Sequence, residues 1–249
     1  MKISNPVIKT QQNHVTIRSF TDEPIPEKIL DEILSASRRS PTSSNLQAYS
    51  IIVVKNPVVK KELAVLAGNQ KHVETCPVFV AFCADLHRLS KVCDMHEVSM
   101  NNNLETFIIA TIDASLVGMS AQTAAESYGL GAVMIGAMRN HPQEVAELLK
   151  LPAGVFVTYG MCLGWPVEED IPPQKPRLPE QLVIHQECYD QTDPVPQIRL
   201  HNIELAKHYA GLGKNLDTAA WSGVIARNLK RPLRPELKRT LEDMGFNLS

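Results

Sequence analysis

Apolar residues recur at helical spacing in several segments of the chain. Residues 26–36 begin with Pro26 and continue with isoleucine and leucine three or four positions apart, the period of one helix face. The longest such segment, 104–128, contains few charges and is apolar nearly all round, which predicts a helix buried in a core or in a subunit interface. Shorter patterns predict further helices at 3–13, 57–67 and 142–149.

Four largely apolar runs predict strands, and those at 49–54, 78–82 and 155–163 are expected to be buried. They are bounded by turn residues and span 49–54, 78–82, 133–135 and 155–163. Residues 164–180 then contain five prolines, which predicts an extended, ordered loop. From about 197 the chain is helical again, with breaks near 211–213 and 232–235. This succession predicts one α+β domain over 1–249 with a helical C-terminal extension from about 197.

Composition places the chain among ordinary globular proteins. Its 249 residues are 44% hydrophobic and 21% charged, and the formal net charge of −2 provides no field that would attract nucleic acid. The N-terminal residues lack the apolar core of a signal peptide, and no apolar run approaches the roughly 20 residues of a membrane span. We therefore predict a cytoplasmic protein with neither a membrane nor a nucleic acid as partner.

The five cysteines and eight histidines indicate neither a disulfide framework nor a metal site. The cysteine count is odd and no C-x-x-C pair occurs, which argues against both. Reduced thiols in apolar packing are expected instead. The histidines show no metal-ligand spacing, so no metal is predicted.

Motifs of familiar catalytic chemistry are missing from the sequence. Gly131–Gly136 has the G-x-x-x-x-G spacing of a phosphate loop, but Ala137 and Met138 follow where Lys and Ser or Thr are needed. Neither the dinucleotide fingerprint nor the nucleophile elbow G-x-S-x-G occurs. We therefore predict no catalytic side chain, a pattern typical of proteins whose chemistry resides in an organic cofactor.

Four separated polar loops indicate a composite site for an anionic ligand. In the first loop, His14 and Arg18 can donate to phosphate oxygens, and Thr16 adds a hydroxyl donor. The other three are a Ser/Thr-rich loop at 40–45, a turn at 68–71, and Lys175-Pro-Arg177.

These loops belong to an ordered series of motifs along roughly residues 10–230. The series comprises His14-Val-Thr-Ile-Arg18-Ser-Phe-Thr-Asp-Glu-Pro24, Thr42-Ser-Ser44 with Leu46-Gln47, Ala67-Gly-Asn-Gln-Lys71-His-Val73, Phe82-Cys-Ala-Asp85, Glu126-Ser-Tyr-Gly-Leu-Gly131, Ile135-Gly136 with Arg139-Asn140, Lys175-Pro-Arg-Leu-Pro179, and Trp221-Ser222. Taken together, the series resembles the FMN-dependent flavin reductase and oxygen-insensitive nitroreductase family, specifically its larger, NADPH-using subgroup.

The resemblance implies a three-layer α/β/α fold with a central, mostly antiparallel sheet, in an intertwined homodimer with two FMN sites at the interface. The helix at 104–128 would form part of that interface. The implied FMN-binding residues are His14, Val15, Thr16 and Arg18 at the phosphate and ring edge, Thr42 and Ser43 from the partner subunit, Gln70 at the pyrimidine edge, Met134, Ile135, Gly136 and Ala137 against the isoalloxazine, and Lys175 and Arg177 at the phosphate.

Structural roles remain open for some of these residues. Arg18 and Arg177 suit surface ion pairs, and Gln70 suits a helix-end cap. For Gly136 an ordinary tight turn is the alternative.

The chain also departs from the family pattern. Val15 stands where the family usually has a second arginine, and Gly136-Ala137 replaces a common Gly-Gly. NADPH-selective relatives carry arginines near 213–218, whereas here Lys214 is the only basic residue, and Asp217 would repel a 2′-phosphate. Lys214 is thus the candidate contact for the hydride donor, and NADPH and NADH both remain open.

The implied activity is a two-step hydride transfer, from NAD(P)H to FMN N5 and then to a flavin, nitroaromatic, quinone or similar small-molecule acceptor. The altered residues at 15 and 213–218 keep a second interpretation open, a non-catalytic or regulatory FMN-binding protein. A third is different chemistry in the same fold, such as flavin fragmentation.

Overall fold

A computed structural model describes residues 5–217 and 219–249 of the chain. Within it the chain forms two compact units. The first contains the chain up to Pro172 together with Arg234–Ser249, and the second is Pro173–Leu233. The organisation as a single domain remains a prediction.

The first unit is built on a four-stranded sheet. The strands are β1 Tyr49–Val54, β2 Val78–Asp85, β3 Gly131–Ile135 and β4 Val155–Gly164, in the spatial order β1-β2-β4-β3. All three strand pairs are antiparallel. The prediction of a central, mostly antiparallel sheet is therefore confirmed.

Ten α-helices occur in the described part of the chain. They are α1 Pro6–Gln12, α2 Glu27–Ser37, α3 Pro57–Leu66, α4 Lys71–Thr75, α5 His87–Met95, α6 Leu104–Ser127, α7 Pro142–Leu148, α8 Val195–Ala210, α9 Ser222–Leu229 and α10 Leu237–Asp243. Local sequence explains several ends. For example, the Asn56 side chain caps α3 by accepting from the backbone N–H groups of Val58 and Val59.

Helices cover both faces of the sheet. Because side chains alternate along a strand, β2 sends Val78, Val80 and Phe82 to one layer and Phe79, Ala81 and Cys83 to the other. The first layer contains Leu30 and Ile33 of α2 and Ala114, Val117 and Ala121 of α6. The second contains Leu63 and Ala64 of α3 and Val145 of α7. The predicted three-layer arrangement is confirmed, and it explains the continuous apolar run of β2, which is buried at every position. The prediction that 49–54 is a buried strand is wrong, because β1 lies at the edge of the sheet and most of its residues are half-buried.

Helix α6 has two different faces although its sequence is apolar all round. Its buried face consists of small and branched residues that pack on the sheet, together with the polar Asp113 and Gln122. The opposite face exposes Ile108 (40%), Ile112 (51%), Leu116 (41%) and Met119 (44%). By length and composition alone α6 is the one described helix that meets the criteria for a membrane span, so the prediction that no apolar run approaches that length is wrong for this segment. Core helices of soluble proteins pass the same test.

The second unit consists mainly of α8 and α9. The Asn202 side chain on α8 accepts from the backbone N–H groups of Trp221 and Ser222, each at 2.9 Å, and so fixes the start of α9. His201 packs edge-on against Trp221 with ring centroids 5.7 Å apart. The breaks between helices fall where glycine and proline predicted them.

The structure adds elements that the hydrophobic pattern did not predict. Helices α4 and α5 are both short, with five and nine residues, and α5 is polar on average. Strand β2 continues three residues beyond the predicted end because Cys83, Ala84 and Asp85 remain paired with β1 or β4. Cys76, Cys83 and Cys162 are buried free thiols as predicted, Cys93 is half-buried, and Cys188 is exposed.

Candidate functional site

The N-terminal segment predicted to bind the ligand runs alongside β3. The backbone N–H of Ile17 donates to Ala132 O at 3.0 Å, and Thr16 forms a parallel bridge with Ala132. The Ile17 side chain is buried, which leaves Arg18 exposed and Thr16 half-buried. Edge pairing with β3 therefore presents the polar residues of this segment beside the Met134–Ala137 turn.

Close contact between the segment and β3 depends on Gly131. A Cβ at position 131 would lie 2.7 Å from the Cβ of Ile17, well inside contact distance. We expect Gly131→Ala to lower the free energy of unfolding by about 1–3 kcal/mol, since overpacking forces the two backbones apart. Urea unfolding measures this. Gly211→Ala is the control, because the nearest atom to its Cβ would be 3.4 Å away. Unchanged stability of the first variant would show that Ile17 moves aside easily.

His14 is held by the end of α6. Its Nδ1 lies 2.6 Å from Glu126 Oε1 and 2.9 Å from Gln122 Nε2, and Gln122 also donates to Glu126. All three side chains are largely buried, so the imidazole orientation is fixed by hydrogen bonds. The helix thus positions His14, while Val15 beside it is half-buried and supplies no donor.

Arg18 lies close to the start of α4, where Gln70 and His72 are found. Burial, and to a smaller degree the nearby Arg18 guanidinium, lower the pKa of His72, so its imidazole is neutral at pH 7. His72 Nε2 is buried and has no hydrogen-bond partner among the described residues. Gln70 donates to Ala67 O at 2.9 Å, the helix-end contact that was the alternative to its predicted ligand role.

The end of β3 and the turn that follows it bring an exposed methionine side chain close to two arginines. Met134 is the exposed residue of a strand that is otherwise buried, Ile135 is buried, and Gly136 and Ala137 are half-buried. Arg139 donates to Thr158 O, and Arg234 donates to Gly136 O at 3.3 Å and to Asn140 at 3.0 Å. Burial, followed by the charge of Arg234, lowers the pKa of Arg139. Neither arginine forms an ion pair among the described residues.

Thr42 and Ser43 lie near a different strand. They lead into β1, which is the edge strand opposite β3 in the order β1-β2-β4-β3. Three strand spacings correspond to roughly 14 Å. Within one chain, therefore, this loop and the β3 turn belong to opposite edges of the sheet.

Lys175, Arg177 and Lys214 all belong to the second unit. The first two are exposed at a cavity of about 680 Å³ whose other walls include Tyr209, Trp221 and Ile225. The Lys175 ammonium stands 5.8 Å from the centroid of the Tyr209 ring. Lys214 is exposed. The ligand contacts assigned to these three residues remain predictions.

The structure thus brings together three of the four predicted segments of the first unit: residues 14–18, residue 70 and residues 134–137. It adds His72, Arg139 and Arg234, for which sequence reasoning proposed no role. His72 and Arg139 lie within the motifs of the resemblance, so their positions carried a usable signal. Arg234 carried none, because it follows Arg139 by almost a hundred residues.

Comparison with known proteins agrees with this architecture. The nitroreductase family model matches residues 12–165, and the model of the nitroreductase family C-terminal domain matches residues 175–249. The chain therefore belongs to the nitroreductase family, which confirms the predicted family and fold class.

Individual relatives cover the chain almost completely. A Bacillus subtilis (strain 168) protein named FMN reductase (NAD(P)H) is 38% identical over 249 residues, 98% of this chain and 99% of the relative. The Salmonella typhimurium oxygen-insensitive NADPH nitroreductase is 38% identical over 242 residues, 97% of this chain and 98% of the relative. The structure of Vibrio harveyi NADPH:FMN oxidoreductase complexed with NAD+ superposes with a TM-score of 0.88 at 33% identity, covering 97% of this chain and 99% of that one.

Proposed function

We propose that this protein is an NAD(P)H-dependent, FMN-containing oxidoreductase of the flavin reductase and nitroreductase type. The names of the relatives include FMN reductase, NADPH nitroreductase and NADPH-flavin oxidoreductase. The class of enzyme, the FMN cofactor and the NAD(P)H donor predicted from the sequence are confirmed by these comparisons. The individual cofactor contacts are proposals that rest on the geometry of the site.

The observation that carries the proposal is His72 Nε2, which is buried near Arg18 with no hydrogen-bond partner in the part of the chain that the structure describes. A buried polar atom without a hydrogen bond is costly, so it is expected to be satisfied by a ligand. The pyrimidine edge of FMN offers both carbonyl acceptors and an imide N–H donor, so it suits either tautomer of a neutral imidazole. The residues present therefore fit FMN with its ring edge at Arg18, Gln70 and His72.

FMN, when bound, accepts a hydride from a reduced nicotinamide and passes electrons to an organic acceptor. The protein's own residues bind and orient the reacting groups. Arg18 places a positive charge at the ring edge, where it favours a reduced, anionic ring. The Met134–Ala137 turn offers exposed surface for the face of the ring. Lys175 and Arg177 are the proposed phosphate contacts, because their charges match a phosphate dianion.

Arg139 and Arg234 are proposed contacts for the anionic part of the hydride donor. Their guanidinium groups are close enough for one to lower the pKa of the other, and they lie at the Gly136 turn. Two neighbouring cations that form no ion pair within residues 5–217 and 219–249 are a favourable site for phosphate. They supply the positive charge that residues 213–218 lack, so use of NADPH does not depend on Lys214.

We expect Arg234→Ala to raise KM for NADPH on the order of tenfold, corresponding to loss of one charge-assisted hydrogen bond worth about 1.5–3 kcal/mol. The value of kcat should change little, because the contact is remote from the transferred hydride. Steady-state kinetics with NADPH and NADH measure this. Arg239→Ala, an exposed arginine on α10, is the matched control. Equal KM values for the two variants would show that Arg234 does not contact the hydride donor.

A second copy of the chain is proposed to complete the site. Thr42 and Ser43 belong to the edge of the sheet opposite β3. This loop and the β3 edge can therefore approach the same FMN if the loop comes from one subunit and the β3 edge from its partner. The exposed apolar face of α6 supports this arrangement, since single soluble chains seldom expose such a stripe without a partner. We therefore propose an intertwined homodimer, and we place it in the cytoplasm.

The first experiment is an absorbance spectrum of the purified protein followed by anaerobic addition of NADPH and NADH in separate samples. We expect flavin bands that bleach with at least one nucleotide, and the faster nucleotide defines the preferred donor. A yellow protein that neither nucleotide bleaches would favour the non-catalytic FMN-binding interpretation. A colourless protein that FMN does not reconstitute would contradict the proposal.

A further inference from the structure

The loop that carries Thr42 and Ser43 has an unusual backbone. Ser44, Asn45 and Gln47 have φ angles of 46°, 58° and 52°, in the left-handed region that residues other than glycine seldom adopt. Three such residues within a few positions make the loop conformation costly. It persists only if surrounding contacts hold it.

Asp113 of α6 provides such contacts at both ends of the loop. Its Oδ1 accepts from the backbone N–H of Ser43 at 3.1 Å, and its Oδ2 accepts from that of Ala48 at 3.0 Å. The side chain is completely buried, and no cation pairs with it among the described residues. A fully buried carboxylate depends on its hydrogen bonds, so these two bonds are strong constraints.

Arg88 holds the same loop, but on one side only. Its guanidinium donates to Gln47 O and Tyr49 O, each at 3.1 Å, and is fixed in turn by Asp85 at 2.9 Å. These contacts secure the passage from the loop into β1. In the described structure Asp113 is the side chain that bonds both Ser43 and Ala48, and it comes from a helix rather than from the sheet.

We propose that Asp113 is a positioning residue that sets the conformation of the 43–48 loop, and thereby the approach of Thr42 and Ser43 to the cofactor. The cofactor half of this inference rests on the proposed function. Asp113 lies on α6, whose outer face is the proposed subunit interface. The same helix therefore holds the 43–48 loop by hydrogen bonds and provides the surface that would bring this loop to the partner's site.

The variant Asp113→Asn tests the inference. An amide has nearly the same shape but one acceptor oxygen, so its NH₂ group faces one of the two backbone donors. Val117→Ala is the matched control, because Val117 is buried one turn further along α6 and touches the sheet rather than the loop. Both full-length proteins are compared with wild type by hydrogen–deuterium exchange of a peptide spanning the loop and by fluorescence titration with FMN.

We expect exchange in the loop peptide to quicken about tenfold in Asp113→Asn, as for loss of one hydrogen bond to a charged acceptor. FMN affinity should fall by a similar factor. Val117→Ala should change neither the loop exchange rate nor the FMN affinity, even if it lowers the thermal stability as much as Asp113→Asn does. An unchanged exchange rate in the loop peptide would overturn the proposal, whatever the FMN affinity of the variant is. Faster exchange with FMN affinity equal to the control would overturn its cofactor half. Failure of wild type to bind FMN would refute the proposed function separately.

Discussion

The double variant Ile112→Glu, Leu116→Glu should be a monomer without bound FMN. The two residues lie one turn apart on the exposed face of α6, and together they would place four carboxylates in a two-fold interface. A charge buried without a partner costs several kcal/mol, which is enough to prevent association. Separation would withdraw the partner's Thr42 loop from each site. We therefore expect reductase activity to fall by about two orders of magnitude or more.

Analytical ultracentrifugation measures the first part of this expectation, with a monomer mass of 27.6 kDa as the reference. Val65→Glu is the matched control, since Val65 on α3 is similarly exposed and lies outside the α6 face. It should behave as wild type. A double variant that stays dimeric and yellow would show that this face is not the interface. A monomer that keeps its FMN would show that one chain binds the cofactor alone.

Arg18→Ala should weaken FMN and riboflavin by a similar factor, on the order of ten- to a hundredfold for a charge-assisted contact. The reason is that Arg18 lies near His72, at the proposed position of the ring edge that both molecules share. Loss of the cation should also make the reduction potential of the bound flavin more negative. The shift is about 30 mV for each tenfold decrease in the ratio of the affinities for reduced and oxidised flavin. Affinity titrations and potentiometry measure the two effects.

Arg177→Ala should affect the affinities for FMN and riboflavin differently from Arg18→Ala. If Arg177 contacts the phosphate, that variant should weaken FMN but leave riboflavin unaffected, because riboflavin has no phosphate. Arg39→Ala, an exposed arginine after α2, should change neither ligand. An Arg18→Ala variant that discriminates only against FMN would move Arg18 from the ring edge to the phosphate.

Histidine titration offers an independent check on the same geometry. Because the Arg18 charge contributes to the lowered pKa of His72, Arg18→Ala should raise that pKa part of the way to its ordinary value. Burial remains and is the larger cause, so the recovery should be incomplete. Nuclear magnetic resonance of the imidazole reports this without any flavin present, and an unchanged pKa would show that the two side chains do not interact.

Local sequence determined much of the fold. The four apolar runs form the four strands, and the runs of β2 and β4 are continuous because helices cover both faces of these inner strands. Asn56-Pro57 begins α3 because a side-chain acceptor and a fixed φ favour the first turn. The ordered motifs identified the family, and with it the positions of three segments that the structure brings together.

Tertiary structure decided which residues act on one another. The composition of α6 could not distinguish its buried face from its exposed one, because the helix is apolar all round and the sheet selects the side that it covers. Burial leaves His72 Nε2 without a hydrogen-bond partner among the residues described. Arg234 reaches the Gly136 turn from a part of the chain nearly a hundred residues away. Asp113 bonds a loop seventy residues before it. Periodicity and propensity describe neighbours along the chain, whereas these contacts arise only when the packed layers bring distant segments within hydrogen-bond distance.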